Sequence, residues 1–241
     1  DSASKVQAAI TAAANAASDA LDLISSYAEN NSTSLVAATG TSPALNHFTA
    51  AAITGVDANN LAAIQDALAS AVIDGEAANT RVEVQAIVDA YNAILGEANG
   101  STADATPNTN PTAAQYAAIG VTGVTAGVQT DLLADVVGTQ QRTNVDTVGE
   151  LQTLADAASA VIANASGAAS VTVAQLQALG VTGVTPDNLA AIQTAIAATN
   201  VDGTGVDSQS ELQTLVNTIN SGVAAISGFA QTNSTGLSNA T

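Results

Sequence analysis

Chemistry needs a nucleophile beside a base, a cluster of metal ligands or a loop that cradles an anion, so residues of those kinds come first. The chain has one histidine, His47, next to Phe48, and no cysteine. A lone imidazole brings neither a triad nor a metal cluster with it, and His47 reads as a helix-surface residue. Serine and threonine are abundant, but none has an identifiable base. Gly120-Val121-Thr122-Gly123 lacks the lysine and the strand-to-helix setting of a phosphate loop. The best ion candidate is Asp202-Gly203-Thr204-Gly205-Val206-Asp207, with Glu211 close behind. Calcium takes about six to eight oxygens, several of them carboxylates. This stretch supplies too few and departs from the EF-hand pattern. Its counterparts are Asp74-Gly75-Glu76 and the acid-free Gly138-Thr139-Gln140, so Asp-Gly reads as a turn. Thr11 is the single threonine inside the first helical stretch, which leaves no regular threonine array of the ice-binding kind. Asn-x-Ser/Thr sequons at Asn30, Asn31, Asn99, Asn164, Asn233 and Asn239 are what a chain rich in Asn, Ser and Thr gives by chance. The sequence therefore predicts no catalytic residue, no cofactor site and no metal site, and the chain does not read as an enzyme.

The elements that would have to position any chemistry are organised by a repeated phrase. Ile53-Thr54-Gly55-Val56, Val121-Thr122-Gly123-Val124 and Val181-Thr182-Gly183-Val184 recur, their threonines 68 and then 60 residues apart. A short apolar stretch precedes each phrase and a longer one follows it. A third stretch opens with a capping box, Thr80-x-x-Glu83, Thr147-x-x-Glu150 or Ser208-x-x-Glu211, and the dipeptide Val84-Gln85, Leu151-Gln152 or Leu212-Gln213. Self-similarity at a fixed period marks a repeat architecture. The spacing predicts an all-α chain: tandem three-helix-bundle repeats with a long N-terminal helix. Val121-Thr122-Gly123-Val124 and Val171-Thr172-Val173 have β-propensity, but nothing alternates long enough for a half-buried strand.

Residues 1–34 read as that long helix. Val6, Ile10, Ala13, Ala17, Ala20, Ile24 and Tyr27 alternate four and three apart, a heptad seam, and Asp1, Ser2 and Ser4 offer caps. Aligning Val6-Gln7 with Val84-Gln85 makes it an orphan third helix whose first two helices are missing, with Lys5 in place of the capping acid. Residues 35–42 are a connector. Repeat 1 spans 43–100: a helix from Ser42-Pro43 to Ala52, a second capped by Asp57 with Leu61, Ile64, Leu68 and Val72 on one face, and a third with the stripe Val84, Ile87, Val88, Tyr91, Ile94 and Leu95. Residues 100–110 read as a linker. Repeat 2, 111–167, has Tyr116 and Ile119, a divergent second helix with Val128, Leu132, Val136 and Val137, and a third with Leu151, Leu154, Ala155, Ala158, Val161 and Ile162. Repeat 3, 170–228, has Val173 and Leu176, then Leu189, Ile192 and Ile196 after Thr185-Pro186, then Leu212, Leu215, Val216, Ile219 and Val223. Phe48 and Tyr116 align as core residues of the first helices. Residues 229–241 read as a flexible tail.

Composition narrows the function classes. The net charge of −18 comes from 21 acids against Lys5, Arg81 and Arg142. Such a surface does not neutralise phosphates, which argues against nucleic acid and against anionic lipid. No apolar run reaches the roughly 18 residues of a membrane span, so no membrane insertion is expected. With 47% hydrophobic but only 2% aromatic residues, the cores must be thin ones of Ala, Val, Ile and Leu. The chain does not begin with Met, which reads as processing or as a piece of a longer chain. Few basic residues mean few tryptic sites, which suits an extracellular life.

Gly180-Val181-Thr182, Asn188-Leu189-Ala190-Ala191-Ile192-Gln193 and Glu211-Leu212-Gln213, with Asn60-Leu61-Ala62-Ala63-Ile64-Gln65 and Glu83-Val84-Gln85, resemble the GA-like three-helix modules of bacterial surface proteins. They are also similar to the Ala/Thr-rich, Cys-free tandem repeats of large secreted adhesins of Gram-negative bacteria. The resemblance covers about residues 43–228. It implies a spacer or stalk of a secreted or cell-surface bacterial adhesin, in which neighbouring units pack in a row. Some modules of that family bind serum albumin through the second helix and the turn before it. Here the second helix differs between repeats and a Gly-Val insertion follows the turn, so albumin binding is not carried over. The partner expected is the chain itself, as neighbouring repeats or subunits, with any host or surface ligand unnamed. Two alternatives stand beside the stalk: a self-assembling subunit of an extracellular filament or surface layer joined through the N-terminal helix, and a module that binds a host protein or glycan.

Overall fold

A computed structural model describes residues 2–32, 41–100 and 110–237. The chain is all-helical: among these residues there are ten α-helices and no strand, only an isolated bridge between Asn99 and Gln141. The helices are α1 (Ser2–Ser32), α2 (Leu45–Ala50), α3 (Leu61–Leu68), α4 (Arg81–Glu97), α5 (Ala113–Ala118), α6 (Val128–Thr139), α7 (Val148–Ala165), α8 (Val173–Ala178), α9 (Pro186–Ala197) and α10 (Gln209–Leu237). Short 3₁₀ turns lie at Glu76–Ala78 and Arg142–Asn144. Two compact units result, one of residues 1–126 with 137–152, the other of 127–136 with 153–241.

In the first unit α1 packs on α2, α3 and the Glu76–Ala78 turn, while α4 packs on α3 and α5. Phe48, Ile64, Leu68, Val84, Val88, Tyr91, Ile94, Tyr116 and Ile119 are sealed from solvent. In the second unit α9 packs on α10, around Leu132, Leu133, Leu154, Val161, Leu176, Ile192, Ile196, Leu212 and Val216. The aromatic position predicted for the first helices is buried each time, as Phe48, Tyr116 and, in α8, Leu176.

Local chemistry sets the helix starts. Thr80 Oγ1 accepts from Glu83 N–H (3.3 Å) and Glu83 Oε2 from Thr80 N–H (2.9 Å). Thr147 and Glu150 close the same box at 3.1 and 3.2 Å. Each pair satisfies two amides that a helix start leaves free. Pro186 occupies the first turn of α9 behind the cap Thr185, where its missing N–H costs nothing.

Several expectations are corrected. The second helix of repeat 1 is capped by Asn60, not Asp57: Asn60 Oδ1 accepts from Asp57 N–H, and Asp57 Oδ1 from Asn59 N–H, so these residues close a turn first. Helix α3 stops at Leu68, so Val72 is exposed and Ile73 is the buried residue. Pro43 precedes the cap of α2 rather than opening the helix. Residues 229–237, expected as a tail, belong to α10, whose four-and-three apolar spacing runs on through Val223 and Ile226. Asp1, the connector at 35–40, most of the linker at 100–110, Asn239 and residues 238–241 lie outside the described residues.

The register of α1 also changes. Helix α1 occupies against α2 the place that α4 occupies against α5. Its buried residues Ala20, Ile24, Tyr27 and Ala28 sit where Ile87, Tyr91, Ile94 and Leu95 do, each 67 residues on. Ala17, not Val6, therefore stands at the place of Val84. The alignment through Val6-Gln7 is off by 11 residues, and 11 residues make three helical turns to within a few degrees, so the apolar pattern alone does not separate the two registers.

Candidate functional site

The recurring polar arrangement is a clasp between each turn phrase and the following long helix. Thr54 N–H donates to Gln85 Oε1 at 2.9 Å, and Gln85 Nε2 donates back to Thr54 O at 3.0 Å. The same pair of bonds joins Thr122 to Gln152 (2.8 and 3.0 Å) and Thr182 to Gln213 (2.8 and 3.1 Å). A primary amide has the acceptor and donor needed to pair with a backbone N–H and C=O as a neighbouring strand would. The phrase glycines sit at φ +81, +74 and +77°, the left-handed region that side chains disfavour.

Asparagines close the clasp in two of the three copies. Asn60 and Asn92 both donate to Gly55 O, at 2.6 and 2.9 Å, and Asn60 donates to Asn92 Oδ1 at 2.7 Å. Asn188, Asn220 and Gly183 repeat this at 2.8, 3.0 and 2.7 Å. In the divergent copy Thr130 Oγ1 accepts from Gly127 N–H at 3.1 Å.

His47 has a local role. Its Nδ1 accepts from Ala44 N–H at 2.9 Å, as Gln115 Oε1 accepts from Thr112 N–H (2.7 Å) and Gln175 Oε1 from Thr172 N–H (2.9 Å). The imidazole thus holds the start of α2 where the other copies use an amide.

The acidic candidates separate. Asp202 Oδ1 accepts from Thr204 N–H (3.1 Å) and Thr204 Oγ1–H (2.9 Å), and these bonds hold its carboxyl below the usual aspartate range. Asp207 turns to Glu211: burial, then the contact with Glu211, raises its carboxyl above that range. Asp74 Oδ1 caps the next turn at Ala77 N–H (2.9 Å), and Gly75 N–H donates to Glu29 Oε2 at 3.0 Å. A Cβ on Gly75 would stand 2.9 Å from Glu29 Cβ and 3.1 Å from Ser25 O, so glycine is needed there for the approach of α1. A polar depression of about 400 Å³ between α1 and this turn is lined by Ser25, Ser26, Glu29, Asn30, Gly75, Glu76 and Asn79. Among the described residues no three His, Cys, Asp or Glu side chains are placed to hold a metal ion.

A second polar feature escaped the sequence. Asp66 Oδ2 accepts from Val148 N–H at 2.6 Å, and Asp135 Oδ2 from Gln209 N–H at 3.3 Å. Each acid on a second helix thus caps the start of a long helix far along the chain. Asp66 and Asp146 are crowded with Glu150, and burial first, then that negative charge, raises both carboxyls. Asp207 meets Asp131 and Glu211 in the same way. The boxes Thr112-x-x-Gln115 and Thr172-x-x-Gln175 were open to reading as Thr-x-x-Gln. The Asp66 contact had no local signal, since 82 residues separate its partners.

Asn164 is buried, with Oδ1 accepting from Val171 N–H (3.0 Å) and Nδ2 donating to Gln193 O (2.9 Å), so its sequon is committed to the fold. No helix among the described residues is long and apolar enough to cross a membrane. Compared with protein families, curated proteins and solved structures, the chain matches none of them.

Proposed function

We propose that the chain is a structural spacer: tandem three-helix units, with no catalysis, forming part of the stalk of a secreted or cell-surface bacterial adhesin. One observation carries the reading. A long helix serves two neighbouring units at once. The start of α4 holds the turn at Thr54 through Gln85, while its far end packs on α5. The end of α7 likewise ties down Val171 and α9 through Asn164. Sharing a helix couples each unit to the next by packed side chains rather than by a free linker, which is how solenoid repeats pass load and gain stability from neighbours.

Single-molecule stretching of the 241-residue chain tests the mechanical part. Discrete force-resisting steps, each releasing the contour of one unit, are expected; featureless extension would refute it. Antibodies against the chain should label intact producing cells, and labelling only after lysis would refute the surface placement. A second reading, a self-assembling subunit joined through the N-terminal helix, is favoured by the exposure of Val6 and Ile10 on α1, at 58% and 57%.

A further inference from the structure

The terminal helices are longer than the equivalent interior ones. Helices α4 and α7 have 17 and 18 residues, α1 and α10 have 31 and 29. In the register set by the buried residues, Arg81 at the start of α4 corresponds to position 14 of α1, and Glu97 at its end to position 225 of α10. The surplus is residues 2–13 at one end and 226–237 at the other. Each surplus is about 18 Å of helix at 1.5 Å per residue.

The two surpluses match in three independent respects. Both expose apolar side chains: Val6 and Ile10 on α1, and Ile226 (72%) and Phe229 (70%) on α10, behind a half-exposed Val223 (53%). Both continue a buried seam at the same spacing. On α1 the row Val6, Ile10, Ala13, Ala17, Ala20, Ile24, Tyr27 is buried only from Ala20 onward, and on α10 the row Leu212, Val216, Ile219, Val223, Ile226 is buried only at Leu212 and Val216. Both lack acids in a chain that carries 21: none falls in residues 2–18 or 212–241, and Lys5 is the one charge in those stretches. A net charge of −18 opposes association elsewhere on the surface, and these two stretches are spared it. Their side chains also complement each other, since the alanines of α1 leave room beside its seam for Ile226 and Phe229, as facing large and small residues do in packed helices.

We infer that residues 2–13 of one copy pair with residues 226–237 of a second copy, joining molecules head to tail. The inference rests on the self-assembly reading and names the surface that α1 meets. Because the two patches differ, the contact is heterologous and propagates instead of closing on a single pair. A seam of this length belongs to the small, transient class of interface, so association is expected at about 0.1–1 mM.

The test is the solution mass of the 241-residue chain, 23.4 kDa, by light scattering and sedimentation across about 0.01–1 mM, with three variants. Wild type should grow beyond the dimer as concentration rises. Val6→Asp with Ile10→Asp, and separately Ile226→Asp with Phe229→Asp, should each stay monomeric, with association weakened at least about 100-fold, since each buried side chain is worth roughly tenfold or more. An equimolar mixture of the two should give dimers that stop there. Val82→Asp, an equally exposed position on α4 (78%), should assemble like wild type. Monomeric wild type at every concentration overturns both the contact and the self-assembly reading. Assembly by either double variant alone, or loss of assembly in Val82→Asp, overturns the contact while self-assembly stands. The unchanged helical circular dichroism of every variant checks that folding is intact.

Discussion

Tyr116 offers a test of how these thin cores are balanced. Its ring on α5 is fully buried, and its hydroxyl has no hydrogen-bond partner. Burial first, and the charge of Glu97 second, push its ionisation far above the ordinary tyrosine range. An unpaired buried hydroxyl costs about 1–3 kcal/mol, so Tyr116→Phe, which keeps the ring and removes the cost, should stabilise the first unit by about 1 kcal/mol or more. The same place on α2 already holds Phe48, also sealed from solvent. Phe48→Tyr is therefore the mirror experiment and should destabilise by a similar amount. Urea unfolding followed by far-ultraviolet circular dichroism measures both, with the denaturant slope unchanged if the effect is local. On heating, 1 kcal/mol corresponds to about 2–4 °C for 150–250 residues. Loss of about 0.5 kcal/mol or more in Tyr116→Phe would show that the hydroxyl is paired in the native state and refute the reasoning. Tyr91 sharpens the contrast, because its hydroxyl does donate, to Val145 O at 3.4 Å, and Tyr91→Phe should be neutral or mildly destabilising.

The phrase glycines separate backbone strain from crowding: Gly123 has φ +74° and open space, whereas at Gly183 (φ +77°) a Cβ would also stand 2.9 Å from Asn220 Nδ2. Gly123→Ala should cost about 1–2 kcal/mol and Gly183→Ala more, and equal costs in urea titrations would refute a clasp role for Asn220. Gly75→Ala, at φ −63°, carries no backbone strain and should act through the approach of α1 alone, by about 1–3 kcal/mol; slower exchange of the α1 amides than in wild type would contradict that. Asp66, Asp146 and Asp207 are raised in the folded state, so the native protein holds more protons than the unfolded chain above about pH 3.9. The stability they contribute is fully present below that value and is lost as pH rises through the folded values. Urea midpoints should therefore increase from pH 7 to pH 5, with a flatter profile in Asp146→Asn with Asp207→Asn, and an unchanged slope in that variant would refute the assignment.

Much of this fold was legible because it rests on local chemistry. The Thr80 and Thr147 boxes, the left-handed glycines and the buried aromatic position all depend on residues within one turn of each other. What failed was of two kinds. The register of α1 failed because 11 residues bring a helix face back to nearly the same direction, so Val6 and Ala17 are equivalent to any periodicity argument and only packing on α2 separates them. The polar clasp failed because its partners lie about 30 residues apart, and the Asp66 cap because they lie 82 apart. Gln85, Gln152 and Gln213 were visible as part of a recurring dipeptide, but a glutamine at an exposed helix position looks like any other until the turn it holds is in place.

The destinations of the polar side chains bear on what kind of protein this is. His47, Gln85, Asn60, Asp66 and Asp74 are residue types that could do chemistry, and each accepts from a backbone N–H at a turn or a helix start. Catalytic groups are typically held with perturbed ionisation facing a cleft where substrate completes their bonding. The buried polar atoms left unpartnered among the described residues, Ser70 Oγ, Tyr116 OH and Glu211 Oε2, come from three separate helices or turns, and one faces a second carboxyl at Asp207. A chain that commits its reactive residue types to backbone amides and leaves its apolar surface at two helix ends has arranged its chemistry for holding and joining. That division supports the structural reading, and it puts the weight of any further function on residues 2–13 and 226–237.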